Sequence, residues 1–271
     1  NIYRNEKNMV MQATDRLSCF DRVLTTIPYK GVILNKISEW WFNKINGVIP
    51  HHMLSSQGRE MEVIEVDVFP IEFVMRSYLT GSTNTSIWKN YEKGCRNYCG
   101  HKLPNGLVRN QKLESVILTP TTKAESDELI ARTTIIANNI MTENEWKICE
   151  TYAHDLFRIG SKLMDERGMI LVDTKYEFGK TKNGDIILVD EVHTPDSSRF
   201  WIKHSYESRF LNKEEPEMID KEFVRKWVKK TYPDPYNEPN IVITDDMRLR
   251  TLNKYLQLYE IITGEELTLS V

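Results

Sequence analysis

Residues 172–201 read VDTKYEFGKTKNGDIILVDEVHTPDSSRFW. Asp173, Lys175 and Glu177 alternate with Val172, Thr174, Tyr176 and Phe178. A period of two is that of a β-strand, so the charged set shares one face and the apolar set the other. Asn183-Gly184 then signals a two-residue hairpin turn, and residues 185–192 make the return strand. With that loop, Lys182 pairs with Asp185 and Glu177 lies directly opposite Asp190. Facing carboxylates repel across a ladder. A divalent cation removes that penalty, and Mg²⁺ takes oxygen ligands from one or two carboxylates, completed by water and phosphate. The hairpin is therefore expected to be a magnesium–phosphate platform with Glu177 and Asp190 as metal ligands. The alternatives are a solvated face on which Lys175 neutralises the acids, and a bulge at Gly179 that shifts the pairing.

Working outward, residues 142–167 form the clearest long helix. Thr142 and Glu145 make a capping box, Cys149, Tyr152, Ala153, Leu156 and Leu163 make one apolar stripe, and Gly168 suits the C-terminal cap. Short strands are expected at 9–13, 23–27, 60–66 and 70–78, and a helix at 35–45 through Ile37, Trp40, Trp41 and Ile45. Pro70 marks a crossing between two parts of the chain. Asp220 caps a helix running to Lys230. Asp245 or Asp246 starts a last one, with Leu249, Leu252, Leu256 and Tyr259 facing the core and Gly264 ending it. Residues 79–128, rich in Gly, Asn, Thr and Pro, read as irregular, and a stretch of that kind usually carries function.

The chain has 271 residues, 40% hydrophobic and 28% charged, which fits one large or two modest globular domains. A net charge of -3 gives no field that recruits nucleic acid. No apolar run reaches membrane-spanning length and no signal peptide is visible. Four cysteines do not make a disulfide framework, so a reduced, cytoplasmic setting is expected. Cys95, Cys99 and His101 lack a second ligand pair, which argues against zinc. Homo-oligomerisation is left open.

Other segments carry chemistry. In Thr194-Pro195-Asp196-Ser197-Ser198-Arg199, hydroxyls, free N–H groups and a guanidinium fork suit a phosphate, although the same residues also make a plain turn. Arg76 to Ser82 places an arginine at the end of an apolar strand and a tight turn at Gly81, while Leu118 to Glu125 presents Lys123 on a polar loop. Each has a bland surface reading. Asp15 either caps a turn or serves a site with Arg16 and Ser18, and Arg16 has Asp21 as an alternative partner. Neither standard glycine-rich phosphate loop is present, nor a Ser-His-Asp or Cys-His arrangement.

The segments ATDRLSCFDRVL (13–24), KGVILNKISEWWF (30–42), FPIEFVMRSYLTGS (69–82), CGHKLPNGL (99–107), LTPTTKAE (118–125), VDTKYEFG (172–179) and DEVHTPDSSRFW (190–201) resemble, in order, the SAICAR synthetase family of purine biosynthesis. The resemblance implies an α+β fold of two lobes. Residues 1–68 would form a small antiparallel lobe and 69–271 a larger α+β lobe, with ATP in the cleft in a layout like that of protein kinases. It implies a ligase that joins L-aspartate to the carboxylate of the ribotide CAIR, with ATP and Mg²⁺. Glu177 and Asp190 would hold the metal and, with Lys123 and backbone groups of Ile64, Glu65 and Val66, the nucleotide. Lys175, Lys123 and Asp173 would be catalytic. Arg76, Ser82, Asp127, Lys175, Ser198, Arg199, Asp15, Arg16 and Ser18 would line the substrate site. The family's Gly-Lys-x-Arg-Asp stretch, which covers the ATP phosphates, would fall just before Ile2-Tyr3; either it lies upstream of Asn1, or the protein lacks it and ATP binding is weakened. The text after Lys123-Ala124-Glu125 is shorter than in many members, which leaves the role of Asp127 open.

Overall fold

The computed structural model describes residues 1–4, 9–123 and 127–268. Ala124 and Glu125 of the lysine loop lie outside them. The chain opens with β1 (Ile2–Arg4), β2 (Met9–Gln12), β3 (Arg16–Cys19) and β4 (Arg22–Thr26), then α1 (Lys30–Ile45), β5 (Met53–Gln57) and β6 (Glu60–Val63). Four of these strands form an antiparallel sheet in the order β1-β2-β6-β5, while β3 and β4 form a two-stranded sheet of their own among the described residues. The chain continues with β7 (Asp67–Val68), β8 (Ile71–Tyr78), α2 (Ile87–Glu92), β9 (Asn97–Tyr98), β10 (His101–Lys102), β11 (Lys112–Leu118), β12 (Thr121–Thr122) and α3 (Arg132–Ala137). It ends with α4 (Glu143–Glu166), β13 (Met169–Lys180), β14 (Ile186–Val189), β15 (Ser198–Ile202), α5 (Lys203–Leu211), α6 (Glu222–Thr231) and α7 (Asp245–Thr263).

The architecture is α+β. A second sheet of 7 strands has β13 as its axis: β11-β8-β13-β14 run along one path, with β12 on β8 and both β15 and β7 on β13. The main core lies between the sheets and α1, α4 and α7. Phe73 of β8 sets its ring edge-to-face against Phe178 of β13, with centroids 5.1 Å apart, and meets Trp146 of α4 at 5.1 Å. A separate cluster joins Leu17 and Ile27 of the β3–β4 hairpin to Val224 and Val228 of α6. Residues on both sides of position 68 therefore share cores.

Local chemistry explains the boundaries. The Thr142 hydroxyl accepts the Glu145 N–H at 3.2 Å while the Glu145 carboxylate accepts the Thr142 N–H at 2.8 Å, closing the capping box of α4. α1 starts at Lys30, earlier than its apolar spacing indicates, because the Asp15 carboxylate caps it from outside by accepting the Gly31 N–H at 2.9 Å. Only glycine fits there, since a Cβ on Gly31 would lie 2.5 Å from the Ala13 carbonyl oxygen. α7 is capped by Thr244, not by Asp245 or Asp246, which occupy its first turn. Leu249 is 57% exposed and does not face the core, whereas Tyr259 does. Gly264 ends the helix at φ 80°.

Two expectations need correction. Residues 79–128 are not irregular throughout, since they hold α2, a small β9–β10 ladder, β11 and β12. β11 pairs with β8 through a register shift between Lys112 and Ile117, and most of its side chains are exposed. A bulged edge strand of that kind lacks the clean alternation that would announce it. The hairpin register is also off by one. Glu177 lies opposite Val189, not Asp190, and Lys180 lies opposite Ile186. The turn explains the shift. Thr181 and Asp185 are joined by the Thr181 N–H to the Asp185 carbonyl at 2.9 Å, which leaves a three-residue loop. Gly184 takes φ 92° while Asn183 is not among the positive-φ residues, so the type I′ turn that needs both does not form.

Candidate active site

The alternation along β13 is real, but the charged face is not solvated. Asp173 is 4% exposed and Glu177 3%. Glu177 accepts from Lys175 at 2.8 Å on one oxygen and from Lys123 on the other. Lys175 also donates to Glu72 of β8 at 2.9 Å, and Thr121 holds the second Glu72 oxygen at 2.8 Å. Burial pushes the Glu177 carboxyl up, but Lys175 and Lys123 overcome it and hold it below its ordinary value. Burial works against the Lys175 charge, yet Glu177, Asp190 and Glu72 raise its pKa well above normal. Asp190 is on the wrong side of the same balance: burial, then the Glu177 charge, pushes its carboxyl up. Among the described residues, no hydrogen bond or ion pair reaches the Asp190 carboxylate. The two acids are thus neighbours in the electrostatic sense, although the ladder does not oppose them.

Asp173 begins a second charge network. Arg199 of β15 meets it at 2.5 Å and Arg76 of β8 at 3.3 Å, because β13 pairs with both strands at this residue. Arg76 is buried, not a surface residue, and also donates to Thr119 at 2.8 Å. Arg199 reaches Glu222 of α6 at 3.5 Å, as does Arg225. Ser198 shares a hydrogen bond of 2.7 Å with Thr174. Gly81 lets the turn after β8 come close: at φ 106°, a Cβ there would lie 2.4 Å from the Ser86 Cβ and 3.1 Å from the Arg199 guanidinium. Ser82 beside it is buried.

Two cavities adjoin these networks. One of about 340 Å³ is lined by Ser18, Asp127, Arg199, Arg225 and Tyr236. The other, of about 320 Å³, is lined by Arg16, Ser18, Lys30, Asp190, Glu191 and Asp196. Ser18 belongs to both. The structure thus brings Lys123, Lys175, Glu177 and Asp190 together, gathers Asp173, Arg76 and Arg199, and places Arg16, Ser18 and Asp127 on cavity walls. Asp15 is engaged elsewhere, by the Gly31 N–H and by Arg59 at 3.2 Å. Ile64 donates its N–H to the His52 carbonyl at 2.8 Å, and Glu65 pairs with Arg4 at 2.6 Å. Val66 packs over Gly179, where a Cβ would lie 2.4 Å from it.

Several polar residues here were not singled out by sequence. Glu72 sits in an apolar strand, and an acid in that position was a readable signal. Buried Lys30 pairs at 2.8 Å with the partly buried Asp196 of the Thr194–Arg199 segment, with Tyr255 donating to Asp196 at 2.6 Å. Glu222 and Arg225 look like an ordinary surface pair three residues apart on a helix. Cys95 and Cys99 are free thiols, His101 bonds the Leu118 carbonyl at 2.7 Å, and no group of three potential metal-binding side chains occurs among the described residues.

His193, in the turn between β14 and β15, is fully buried, and burial alone pushes its imidazole down to about 3. A depressed histidine keeps its full contribution to stability above its unfolded value near 6.5 and loses it as pH falls toward the folded one. Wild type should therefore lose about 2 kcal/mol relative to His193→Gln between pH 7 and pH 5 in denaturant titrations. Parallel stability curves would contradict this.

Compared with known proteins, residues 1–239 match the family SAICAR synthetase. The phosphoribosylaminoimidazole-succinocarboxamide synthase of Legionella pneumophila (strain Paris) is 46% identical over 260 residues, which cover 95% of this chain and 83% of that protein. The chloroplastic protein of the same name from Arabidopsis thaliana is 47% identical over 269 residues, 98% of this chain and 65% of its own length. The solved structure of SAICAR synthase from Saccharomyces cerevisiae complexed with SAICAR has a TM-score of 0.83 and 31% identity, over 98% of this chain and 93% of that one. The matching family and the names of these relatives make the chain a ligase. The chain belongs to the SAICAR synthetase family.

Proposed function

We propose that this protein joins L-aspartate to the carboxylate of CAIR, forming SAICAR, ADP and phosphate in purine biosynthesis. The observation that carries this reading is the β13 face, where Lys175, Lys123 and Glu177 stand beside Asp190 and, a few residues along, Asp173 holds two arginines. A carboxylate is a poor electrophile. Transfer of the ATP γ-phosphoryl to a CAIR carboxylate oxygen breaks the bond to ADP and makes a mixed anhydride. The aspartate amine then attacks the acyl carbon, phosphate leaves, and the nitrogen gives up its proton. Such chemistry needs alignment and charge neutralisation more than a protein nucleophile.

Lys123 and Lys175 are the cations that would meet the transferring phosphoryl and the carboxylate. Arg199 would hold the ribotide phosphate in the cavity it lines with Asp127 and Ser18, with Arg76, Ser82 and Ser198 behind it on the ribose side and Arg16 on the wall of the neighbouring cavity. Asp15 would act through the start of α1. Ile64, Glu65 and Val66 would border the adenine, and the sheet of residues 1–68 would cover the cleft. Glu177 and Asp190 suit Mg²⁺: both offer hard oxygens, and Asp190 is a half-buried carboxylate without a partner among the described residues, whose charge a cation would favour. When bound, the ion would offset charge on the phosphates. Among the described residues no helix is long and apolar enough to cross a membrane, and a cytoplasmic site of action fits this reading.

ADP release tests the proposal. The expected result is release that requires CAIR and L-aspartate together, with SAICAR as the product. Release that needs CAIR but is indifferent to aspartate would replace it with a simple phosphotransfer.

A further inference from the structure

The ladder sets Val189 opposite Glu177, so strand pairing does not place Asp190. β14 ends at Val189, and the next residue turns out of the strand: Asp190 has φ 66° and His193 has φ 48°. Left-handed backbone at residues other than glycine persists only when the surroundings hold it. The surroundings here are specific. The His193 ring is buried in a slot between three elements. It meets Trp41 of α1 edge-on at 4.4 Å, and it lies where a Cβ on Gly160 of α4 would be 2.4 Å away. Its Nε2 shares a 2.5 Å hydrogen bond with the Tyr176 hydroxyl of β13. Nδ1 has no partner among the described residues, so this bond is the ring's one polar attachment. Tyr176 stands in sequence between Lys175 and Glu177, with its own ring on the core side. On the other flank, the buried His52 ring has the Asp190 backbone as its polar neighbour.

We propose that the Tyr176–His193 hydrogen bond, rather than the strand ladder, sets where the Asp190 carboxylate stands relative to Glu177, which makes Tyr176 and His193 positioning residues of the divalent-metal site. The inference rests on the assignment of Glu177 and Asp190 as metal ligands. It extends that assignment to two core residues that touch neither metal nor substrate. Tyr176 anchors the turn to the same strand that carries Glu177, so a single short link fixes the separation of a carboxylate on β13 from one in the turn after β14. Gly160 and Trp41 shape the slot that keeps the imidazole in place. Outer groups that orient metal ligands typically change metal affinity by about 10–100-fold when removed.

The test is Mn²⁺ binding to the full chain in the presence of ADP, followed by the electron paramagnetic resonance signal of the free ion. Tyr176→Phe removes the hydroxyl and leaves the ring, so the fold is retained, which circular dichroism checks. Phe178→Leu is the control: it disturbs packing on the same strand but has no link to the turn. The expected result is Mn²⁺ affinity about 10-fold weaker in Tyr176→Phe and close to wild type in Phe178→Leu. Wild-type affinity in Tyr176→Phe, or equal weakening in both variants, would overturn the positioning role. Failure of the wild-type protein itself to bind Mn²⁺ with ADP would overturn the metal assignment, and the positioning role with it.

Discussion

Asp190→Asn is expected to lower turnover by at least ~10²-fold while leaving the fold as stable as wild type or more so. The reason lies in what the carboxylate does in the free protein. It is half-buried, it feels the Glu177 charge, and no hydrogen bond or ion pair among the described residues offsets either. Asparagine removes the charge and keeps nearly the same shape. It also tolerates left-handed backbone, which Asp190 adopts at φ 66°. The substitution therefore isolates charge from geometry. Glu177→Gln should lose as much activity, but it also breaks pairs with Lys123 and Lys175 and should be less stable. Steady-state rates at saturating ATP and a thermal melt separate the two effects. Near-normal turnover in either variant would remove the acidic pair from the reaction.

The second large effect is expected at Asp173. Its carboxylate holds Arg76 and Arg199, all three nearly buried. Removing one member of a buried ion network strands the others without compensation, at a cost of about 3–5 kcal/mol. Asp173→Asn should show that loss in equilibrium unfolding and should also release the arginines toward the cavity beside Asp127. The Michaelis constant for CAIR should then change more than that for ATP, because the arginines face the ribotide side. A variant of wild-type stability would mean that Glu222, which also reaches Arg199 at 3.5 Å, suffices by itself.

Much of this arrangement was legible in the chain. Period-two charge from Asp173 to Glu177 announced both the strand and its reactive face, and Thr142 with Glu145 announced α4. Asp15 illustrates a different outcome. A turn-capping role was one reading, and the carboxylate does cap, but it caps a helix that begins 16 residues away. Sequence spacing cannot reveal a cap supplied by another segment. The hairpin slip has the same origin. Asn183-Gly184 fits two loop lengths, and only the Thr181–Asp185 pairing decides between them. Glu222 escaped notice because its partner Arg199 is brought to it by the packing of α6 against β15, which no local pattern records.

The central claim is that one ion links the acids of β13 and the following turn to a nucleotide. Crystals grown with Mn²⁺ and ADP, measured at the manganese absorption edge, test it directly. The account predicts an anomalous peak at metal–oxygen bonding distance, roughly 2 Å, from carboxylate oxygens of both Glu177 and Asp190, with phosphate oxygens on its far side. A peak bound elsewhere, or nucleotide phosphates with Lys123 and Lys175 still closed on Glu177 and no metal between them, would contradict it.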